Sequence, residues 1–393
     1  MKKIKIGLFM LPLLTQGGGA EKYFIELAEN LSSRRKVKAD VITMDEDFFK
    51  VFARLLYLFR LKLFTRIDIS GREKEGEIKK RLGKASWLKS PWGKLKTILS
   101  QYNVIYAKNE IVDLLLLKLI GYRNLPPVVV GVHTPLFYPL GNSLYTKIHN
   151  FLYSSLLYHW LLKGVKLVHV SNSFTKEYVE KNFRIDTRLI YYPFDIETMK
   201  QEAASNKTNL SFDEGKINIA FVGRLSEQKG VDILIRLIKK IAVKGKIAGK
   251  INLNIFGSGG EKFEQEIKEL TGIYPWVRFF GHVEHRQIAS ILSKQNLLLS
   301  TSRWEVLPFN ILEGQAMGLP VIAFDIAGPN DIIRNGETGF LTTNEAEMER
   351  RLVGFVRGQY SFNKLIIKKN IKNTFSPAVI YPKLYLMLIK AIK

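Results

Sequence analysis

The chain of 393 residues contains no cysteine, which excludes disulfide bonds and metal sites built on thiolates. Acidic residues are scarce, since 36 Asp and Glu stand against 60 Lys and Arg and give a formal net charge of +24. Runs of 18 or more apolar residues are also lacking, so we expect no membrane-spanning helix. The opening "MKKIKIGLFMLPLL" has the basic head of a signal peptide, but Lys5 interrupts its apolar run and no small-residue cleavage site follows. We therefore expect a buried first strand and a cytoplasmic chain.

The positive charge is unevenly distributed. Residues 51–100 contain thirteen Lys and Arg but four Asp and Glu, a net charge of 13 − 4 = +9. Such an excess attracts anions, which include nucleic acid, an anionic membrane and phosphorylated ligands. A solvated, lysine-rich surface is the alternative.

Short apolar runs alternate with amphipathic segments along most of the chain, which predicts buried parallel strands joined by helices. The predicted strands are "IKIGLFML", "KADVITM", "NVIYA", "PVVVGVH" and "VKLVHVS" in the first half, and "KINIAFVG", "KINLNIFG", "VRFFGHV", "NLLLSTS", "PVIAFD" and "GFLTT" in the second. The pattern breaks at residues 191–216, the predicted linker. We therefore predict an α/β fold of two doubly wound, Rossmann-like domains, at residues 1–192 and 193–374. The tail, about residues 375–393, is predicted to be an amphipathic helix that packs back near the first domain.

Two loops are candidate anion sites. In "IAFVGRLSEQKGVDILIRLI", Arg224 and Lys229 lie between a strand end and a helix start, where a diphosphate is stabilised by both cations and by the helix N-terminus. In "TQGGGAEKYF", Gly18 and Gly19 allow backbone amides to approach an anion closely. An ordinary solvated turn is the alternative at the first loop, and a tight turn that needs glycine is the alternative at the second.

The stretch "SRWEVLPFNILEGQAMGLPVIAFD" places Glu305 and Glu313 eight positions apart. Pro308 suits the first turn of a helix, because its missing N–H costs little there. Glu305 would then precede the helix and Glu313 would lie inside it. Each carboxylate accepts two hydrogen bonds from vicinal hydroxyls, so one Glu suits a transferred sugar and the other a nucleotide ribose. A capping acid and a surface acid are the alternative.

Three segments, "FVGRLSEQKGVD", "SRWEVLPFNILEGQAMGLPVIAFD" and "GPNDIIRNGETGFL", together closely resemble the retaining glycosyltransferases of family 4, which have the GT-B fold. The resemblance is strong over residues 217–341. It is looser in the first half, where "GGAE", "GVHTP" and "VHVSNSFTKEY" fit the family pattern. It implies two Rossmann-like domains that face a cleft. Separately, we expect a metal-independent enzyme, because Arg224 and Lys229 already supply the charge that a metal would offer.

The resemblance also implies roles for individual residues. Most of them hold the donor from the second domain: Arg224 and Lys229 the diphosphate, Glu313 the ribose, and Glu305 with the amides of Phe309, Asn310 and Ile311 the sugar. From the first domain, Gly18 and Gly19 would approach the phosphate. His133 would lie beside the reacting sugar and position it, whereas a lone histidine at a strand end is otherwise usually structural. The implied catalytic residues are His133, Glu305, Arg224 and Lys229.

Some positions depart from the family pattern. Val306 replaces the glycine that commonly follows the first glutamate, and Pro308 removes one amide. The segment "YYPFD", residues 191–195, stands where the family often has Pro-Asn-Gly-Val-Asp. These departures concern the loop geometry and the hinge.

Four further segments have patterns that resemble metal or membrane sites. Asp45 and Asp47 form an Asp-x-Asp like that of metal-dependent transferases, but they follow an early strand, so we expect a solvated loop. His282 and His285 lack neighbouring ligands at metal spacing and are expected to be loop residues. Residues 48–66 mix Phe, Leu and Tyr with Lys and Arg at near-helical spacing, as an interfacial helix does. Residues 144–162 are apolar and aromatic, and a core helix is favoured there over an interfacial one.

The sequence thus predicts a retaining glycosyltransferase that moves a sugar from a UDP- or GDP-linked donor to an acceptor hydroxyl. The acceptor would be lipid-linked or a growing surface glycan, and the enzyme would work in the cytoplasm, with the inner face of the cell membrane as a possible location. A nucleotide-sugar epimerase or a phosphorylase of the same fold is the alternative. A nucleic-acid-binding protein is suggested by charge alone and has no supporting motif, so no nucleic-acid partner is expected.

Overall fold

The computed structural model describes residues 3–11, 19–44, 86–138, 144–206, 208–245 and 247–393. The first half forms a seven-stranded parallel sheet in the order β3-β2-β1-β4-β5-β6-β7. Its strands are β1 (Ile4–Phe9), β2 (Val37–Met44), β3 (Ser86–Ser90), β4 (Val104–Lys108), β5 (Val128–Gly131), β6 (Leu167–Val170) and β7 (Thr187–Leu189). The helices described with this half are α1 (Gly19–Ser33), α2 (Trp92–Leu99), α3 (Ile111–Ile120), α4 (Leu144–Ser154), α5 (Leu156–Leu162) and α6 (Ser173–Phe183).

The second half forms a six-stranded parallel sheet in the order β10-β9-β8-β11-β12-β13. Its strands are β8 (Ile217–Val222), β9 (Ile251–Phe256), β10 (Val277–Gly281), β11 (Leu297–Ser300), β12 (Val321–Phe324) and β13 (Gly339–Thr342). The helices that follow are α7 (Ile196–Ser205), α8 (Val231–Lys244), α9 (Glu261–Ile273), α10 (His285–Ser293), α11 (Phe309–Ala316), α12 (Pro329–Ile332), α13 (Glu345–Val356), α14 (Lys364–Phe375) and α15 (Pro377–Ile392).

Both sheets have a point at which the strand order reverses direction. In the first sheet this point lies between β1 and β4, and in the second between β8 and β11. Open parallel sheets bind ligands in the crevice beyond the carboxyl ends of such strands. The topology therefore places the candidate anion loop after β8 beside the loop that carries Glu305.

All eleven strands predicted from apolar runs are confirmed. Two strands were missed, β3 ("SWLKS") and β7 ("TRL"), which are short, partly polar and at the edges of the first sheet. The two sheets lie on either side of residue 192, while the domain boundary itself stays a prediction. The linker segment is not irregular throughout, because Asp195 caps α7 by accepting from the amides of Glu197 and Thr198.

The C-terminal helices connect the two halves. Helix α14 packs against α11 of the second half, and α15 packs against α1, β4 and β5 of the first. Phe375, Ile380 and Leu384 are fully buried in the core that joins them. By length and composition alone, Lys364–Ile392 is long and apolar enough to cross a membrane, which the sequence analysis did not foresee. In the folded chain this segment bends at Ser376, where the backbone is extended.

Candidate active site

The candidate site lies at the carboxyl ends of β8 and β11. Gly230, with φ of 63°, ends the loop after β8, and a Cβ at this position would lie 2.0 Å from the carbonyl oxygen of Thr301. The hydroxyl of Thr301 in turn donates to the carbonyl of Lys229 at 2.8 Å. Only glycine permits this approach, which draws the Lys229 loop against the loop that follows β11.

Arg303 fixes the position of the second loop. Its guanidinium donates to Asp232 Oδ1 at 2.6 Å and to the carbonyl of Glu227 at 2.9 Å. Its amide donates to the carbonyl of Gln228 at 2.8 Å. These bonds hold the residues that immediately precede Glu305 against the β8–α8 loop.

Lys229 and Glu305 form an ion pair across the two loops. The Nζ atom of Lys229 donates to Glu305 Oε1 at 2.6 Å. Side-chain exposure is 15% for Lys229 and 8% for Glu305, so water screens this pair poorly. Arg224, on the same loop as Lys229, is exposed and donates to Gln228 Oε1 at 3.3 Å. Two cations and one carboxylate thus lie on the two loops that follow β8 and β11.

The N-terminus of α11 faces the same crevice. Pro308 precedes the helix, and the amide of Ile311 already bonds to the carbonyl of Pro308 and to Asn310 Oδ1, both at 3.1 Å. The amides of Phe309 and Asn310 are the first two of the helix, which no intrahelical carbonyl reaches. Ile311 itself is buried, and Asn310 Nδ2 donates to the carbonyl of Val222 at 2.8 Å. The helix start therefore offers two amides rather than the three that the sequence suggested.

Glu313 lies one turn further along α11 and is buried, with 6% of its surface exposed. Its Oε1 atom lies 3.2 Å from Nε2 of His285, the first residue of α10. The hydrogen bond to this carboxylate raises the pKa of His285 above its ordinary value. Sequence reasoning did not link these two residues, because their pairing depends on the topology that brings α10 beside α11.

His133 lies just beyond β5, enclosed by tyrosines on both sides. Its Nε2 atom is 2.9 Å from the hydroxyl of Tyr106, and its Nδ1 atom is 3.0 Å from the hydroxyl of Tyr192. The ring stacks on Tyr192 with 11° between the planes. Burial, and then the nearby His169 and Lys108, hold the pKa of His133 well below its ordinary value. The imidazole is therefore neutral at physiological pH, and both nitrogens have partners.

The direction of each hydrogen bond in this network follows from the carbonyl group of Ile190 at one end of it. The carbonyl of Ile190 only accepts, so the Nε2 atom of His169, 2.7 Å away, carries a proton. Burial lowers the pKa of His169 to about 4, which leaves its Nδ1 atom to accept from Tyr106 at 2.7 Å. Tyr106 then accepts from His133 Nε2, and His133 Nδ1 accepts from the hydroxyl of Tyr192, which also lies 3.3 Å from the carbonyl oxygen of Val132. Ile190 and Tyr192 both lie on the chain between the two sheets.

Tyr192 also reaches the other half of the chain. Its ring stacks with that of Phe309, the first residue of α11, at 6.3 Å between centroids and 15° between planes. Phe309 is 44% exposed. Tyr192 therefore lies between His133 and the start of the candidate donor helix. Sequence reasoning noted the unusual "YYPFD" segment but assigned it no role.

Direct bonds join the halves near this point. Asn172 Nδ2 donates to the carbonyl of Val306 at 2.9 Å. The amide of Ser173 donates to Asp331 Oδ1 at 3.0 Å, and the hydroxyl of Tyr191 donates to the same atom at 3.2 Å. Burial raises the pKa of Asp331. These bonds fix the start of α6 against the loops of the second sheet.

The remaining predicted residues lie outside the described ranges or away from the crevice contacts described above. Gly18, Asp45, Asp47 and residues 48–66 lie outside the described residues, and Gly19 is the first residue of α1. His282 follows β10, whereas His285 belongs to α10 rather than to a loop. Within the described ranges, no group of three or more His, Asp or Glu side chains has a metal-binding arrangement. Metal independence stays a prediction.

Two models of known protein families match this chain. The family model for glycosyl transferases group 1 matches residues 202–359. The model for Glycosyltransferase Family 4 matches residues 17–198. The two matches span most of the chain and meet in the segment between the two sheets.

Individual relatives match over parts of the chain. An uncharacterized 41.2 kDa protein in the cps region of Klebsiella pneumoniae is 34% identical over 130 residues, which cover 33% of this chain and 34% of that protein. Granule-bound starch synthase 1 of Triticum aestivum is 30% identical over 167 residues, which cover 40% of this chain and 26% of the synthase. The chain thus matches about a third or less of the length of these curated relatives.

A solved structure matches the whole chain. Anabaena Alr3699/HepE in complex with UDP superposes with a TM-score of 0.69 and 18% identity, over 99% of this chain and 100% of that one. The same protein has also been solved in complex with UDP-glucose. The second half of the chain therefore matches the group 1 glycosyl transferases, the first half matches Glycosyltransferase Family 4, and the chain as a whole adopts the GT-B fold.

Proposed function

We propose that this protein transfers a sugar from a nucleoside-diphosphate sugar to an acceptor hydroxyl, with retention of configuration at the anomeric carbon. The observation that carries the proposal is the meeting of Lys229, Glu305 and the start of α11 at the β8–β11 crevice. A diphosphate suits two cations and a helix N-terminus, and a sugar suits a carboxylate beside them. Structural neighbours in complex with UDP and UDP-glucose support a UDP-linked donor, with GDP as the alternative base.

The ion pair defines the resting state of the proposed site. Glu305 neutralises Lys229 in the described structure. When the donor binds, its diphosphate would take the Lys229 ammonium, and sugar hydroxyls would take Glu305. Negative charge develops on the diphosphate as the glycosidic bond breaks. Lys229, Arg224 and the amides of Phe309 and Asn310 stabilise that charge, which we propose as the main catalytic effect.

Glu313 and His133 serve the two ends of the proposed donor. Glu313 lies inside α11, where it bonds to His285, and would accept from the ribose hydroxyls after His285 turns away. His133 would approach the sugar from the first half, as a neutral imidazole held by Tyr106 and Tyr192. No metal is required, because two cations already supply the positive charge. Gly18 and Gly19 remain proposed phosphate contacts from the N-terminal half.

Contact with the cytoplasmic face of an anionic membrane is a second part of the proposal. The sequence analysis favoured a core helix for residues 144–162, but helices α4 and α5 expose several large apolar side chains. These are Leu144, Phe151, Leu156, Leu157 and Trp160. Residues 114–166 contain five Lys and Arg and no Asp or Glu. Exposed apolar side chains on a segment whose only charged residues are cations suit anionic lipid, and residues 48–66 remain a separate proposed membrane contact. A lipid-linked or growing surface glycan is the acceptor that fits such a location.

The proposal is tested by screening UDP- and GDP-sugars for binding and then assaying transfer with the donor that binds. We expect transfer only when an acceptor is present, and an anomeric configuration in the product, measured by NMR, that equals that of the donor. An epimerase would convert the donor without an acceptor, and a phosphorylase would require inorganic phosphate. Inversion at the anomeric carbon would contradict the retaining mechanism.

Membrane contact is tested separately by sedimentation with anionic liposomes at low salt. Phe151→Asp combined with Leu156→Asp should release the protein from the vesicles without unfolding it, because both side chains are exposed. Leu365→Asp, at a similarly exposed position on α14, is the matched control. Wild-type protein that stays in the supernatant would end the membrane proposal and leave the transferase proposal intact.

A further inference from the structure

A cavity of about 140 Å³ lies between the two halves of the chain, beside the candidate active site. One wall comes from the loop after β5 and the start of α6, through Leu136, Phe137 and Phe174. The other wall comes from the loops after β11 and β12, through Trp304, Val306 and Ile326. Glu305 also lines the cavity, so the cavity and the proposed sugar site share one side chain.

The chemistry of the lining limits what can bind. Its two charged residues are already assigned, since Arg303 bonds to Asp232, and Glu305, which bonds to Lys229, is the proposed partner of the transferred sugar. Phe137 and Phe174 are exposed at 39% and 48%, so their rings are accessible to a ligand that enters from solvent. A sugar ring in this cavity would leave most of its hydroxyls without partners, and that costs free energy. The lining instead suits methylene groups.

The walls are held in place by the bonds between the halves. Val306, which lines the cavity, accepts from Asn172, and the start of α6 is bonded to Asp331. The cavity is therefore a preformed space in the described structure rather than a gap between unconnected surfaces. An apolar cavity of about 150 Å³ is large enough for a ligand the size of benzene, so this one suits a short segment of chain.

We propose that this cavity receives the aliphatic portion of the acceptor that adjoins its reactive sugar, so that the acceptor is an amphiphilic glycoside. This inference rests on the proposed function, because it takes Glu305 as the neighbour of the transferred sugar. The exposed apolar face of α4 and α5 lies on the same half of the chain as Phe137 and Phe174. An acceptor with an aliphatic chain would use the cavity next to the reacting hydroxyl.

The test measures binding of glucosides with methyl, butyl, hexyl and octyl chains, below their micellar concentrations, by calorimetry on the full chain. Each methylene that enters the cavity should tighten binding about fourfold until the cavity is full, after which affinity should stop rising. Phe137→Ser combined with Phe174→Ser should remove most of this dependence on chain length. Ala327→Phe, which fills the cavity without removing a wall, should have the same effect.

The controls separate this cavity from other apolar surfaces and from the donor site. Leu156→Ser, on the exposed face of α5, should keep the dependence on chain length, because its side chain is not part of the cavity. Affinity for UDP should be unchanged in the cavity variants. Equal binding of methyl and octyl glucosides by the wild type, or a chain-length dependence that survives Ala327→Phe, would overturn the inference. Normal glucoside binding without any binding of UDP or GDP would instead overturn the donor proposal.

Discussion

Breaking the Lys229–Glu305 pair should destabilise the protein, whereas removing both charges should not. Only 15% and 8% of these side chains are exposed, so Lys229→Met leaves the Glu305 carboxylate largely buried without its cation. Removing one partner of a buried pair costs about 3 kcal/mol. In a domain of about 180 residues, this lowers the melting temperature by roughly 6–12 °C. Lys229→Met combined with Glu305→Gln should regain most of that loss, because no unpaired charge remains.

The assay is a double-mutant cycle by scanning calorimetry without donor. The pair Lys200–Glu197 is the matched control, since it has the same chemistry on the surface, with 44% and 53% of the side chains exposed. Its single variants should lose less than about 1 kcal/mol. The account would be refuted if Lys229→Met were no more destabilising than Lys200→Met, or if the losses at 229 and 305 simply added.

Three further predictions concern the rest of the site. The His285–Glu313 contact raises the pKa of His285. The contact therefore stabilises the folded protein fully at pH values below the pKa that His285 has in the unfolded chain, and this stabilisation disappears as the pH rises through the folded pKa. Because His285 is exposed, the contribution is below about 1 kcal/mol. His285→Ala should therefore lower the free energy of unfolding, measured in urea, more at about pH 5.5 than at about pH 8. An equal loss at both pH values would contradict this role of the contact. Tyr192→Phe removes the hydroxyl that donates to His133 Nδ1, so it should lower the free energy of unfolding by about 1–3 kcal/mol and also lower kcat. Unchanged values of both would show that the hydroxyl is not needed. Transfer should continue in EDTA, because Arg224 and Lys229 supply the charge, and a loss that Mn²⁺ restores would make Asp45 and Asp47 candidate ligands.

The fold could be predicted because a buried parallel strand is written as a continuous apolar run. β8 and β9 have this pattern and were recognised, with ends close to those observed. β3 and β7 escaped recognition because an edge strand has only one neighbour and tolerates polar residues such as Lys89 and Arg188. The helix α7 was hidden in the linker, since its buried face is contributed by Ile196 and Met199 among many polar residues.

The candidate site was predicted residue by residue, but its pairings were not. Local motifs identified Lys229, Glu305 and Glu313, whereas the bonds between Lys229 and Glu305 and between His285 and Glu313 depend on which loops the sheet brings together. Residues so far apart in the sequence give no local pattern from which these contacts could be predicted.

The tyrosine–histidine network escaped notice for a similar reason. Tyr106 and His169 lie in apolar strand runs and look like ordinary core residues. A signal was nevertheless present, because a polar side chain inside a buried strand needs a hydrogen-bond partner. Two such residues on separate strands, together with His133 and Tyr192, could have suggested a buried network.

Calorimetric titration with UDP and with GDP, on the wild type and on Glu313→Ala, tests the central claim most directly. The account predicts that one of the two nucleotides binds the wild type. It also predicts that Glu313→Ala weakens this binding about ten- to a hundredfold, because hydrogen bonds from two ribose hydroxyls to a buried carboxylate are lost. Glu337→Ala, an exposed site on the same half, should bind as the wild type does. Failure of the wild type to bind either nucleotide, or unchanged affinity in Glu313→Ala, would contradict a donor site at the start of α11.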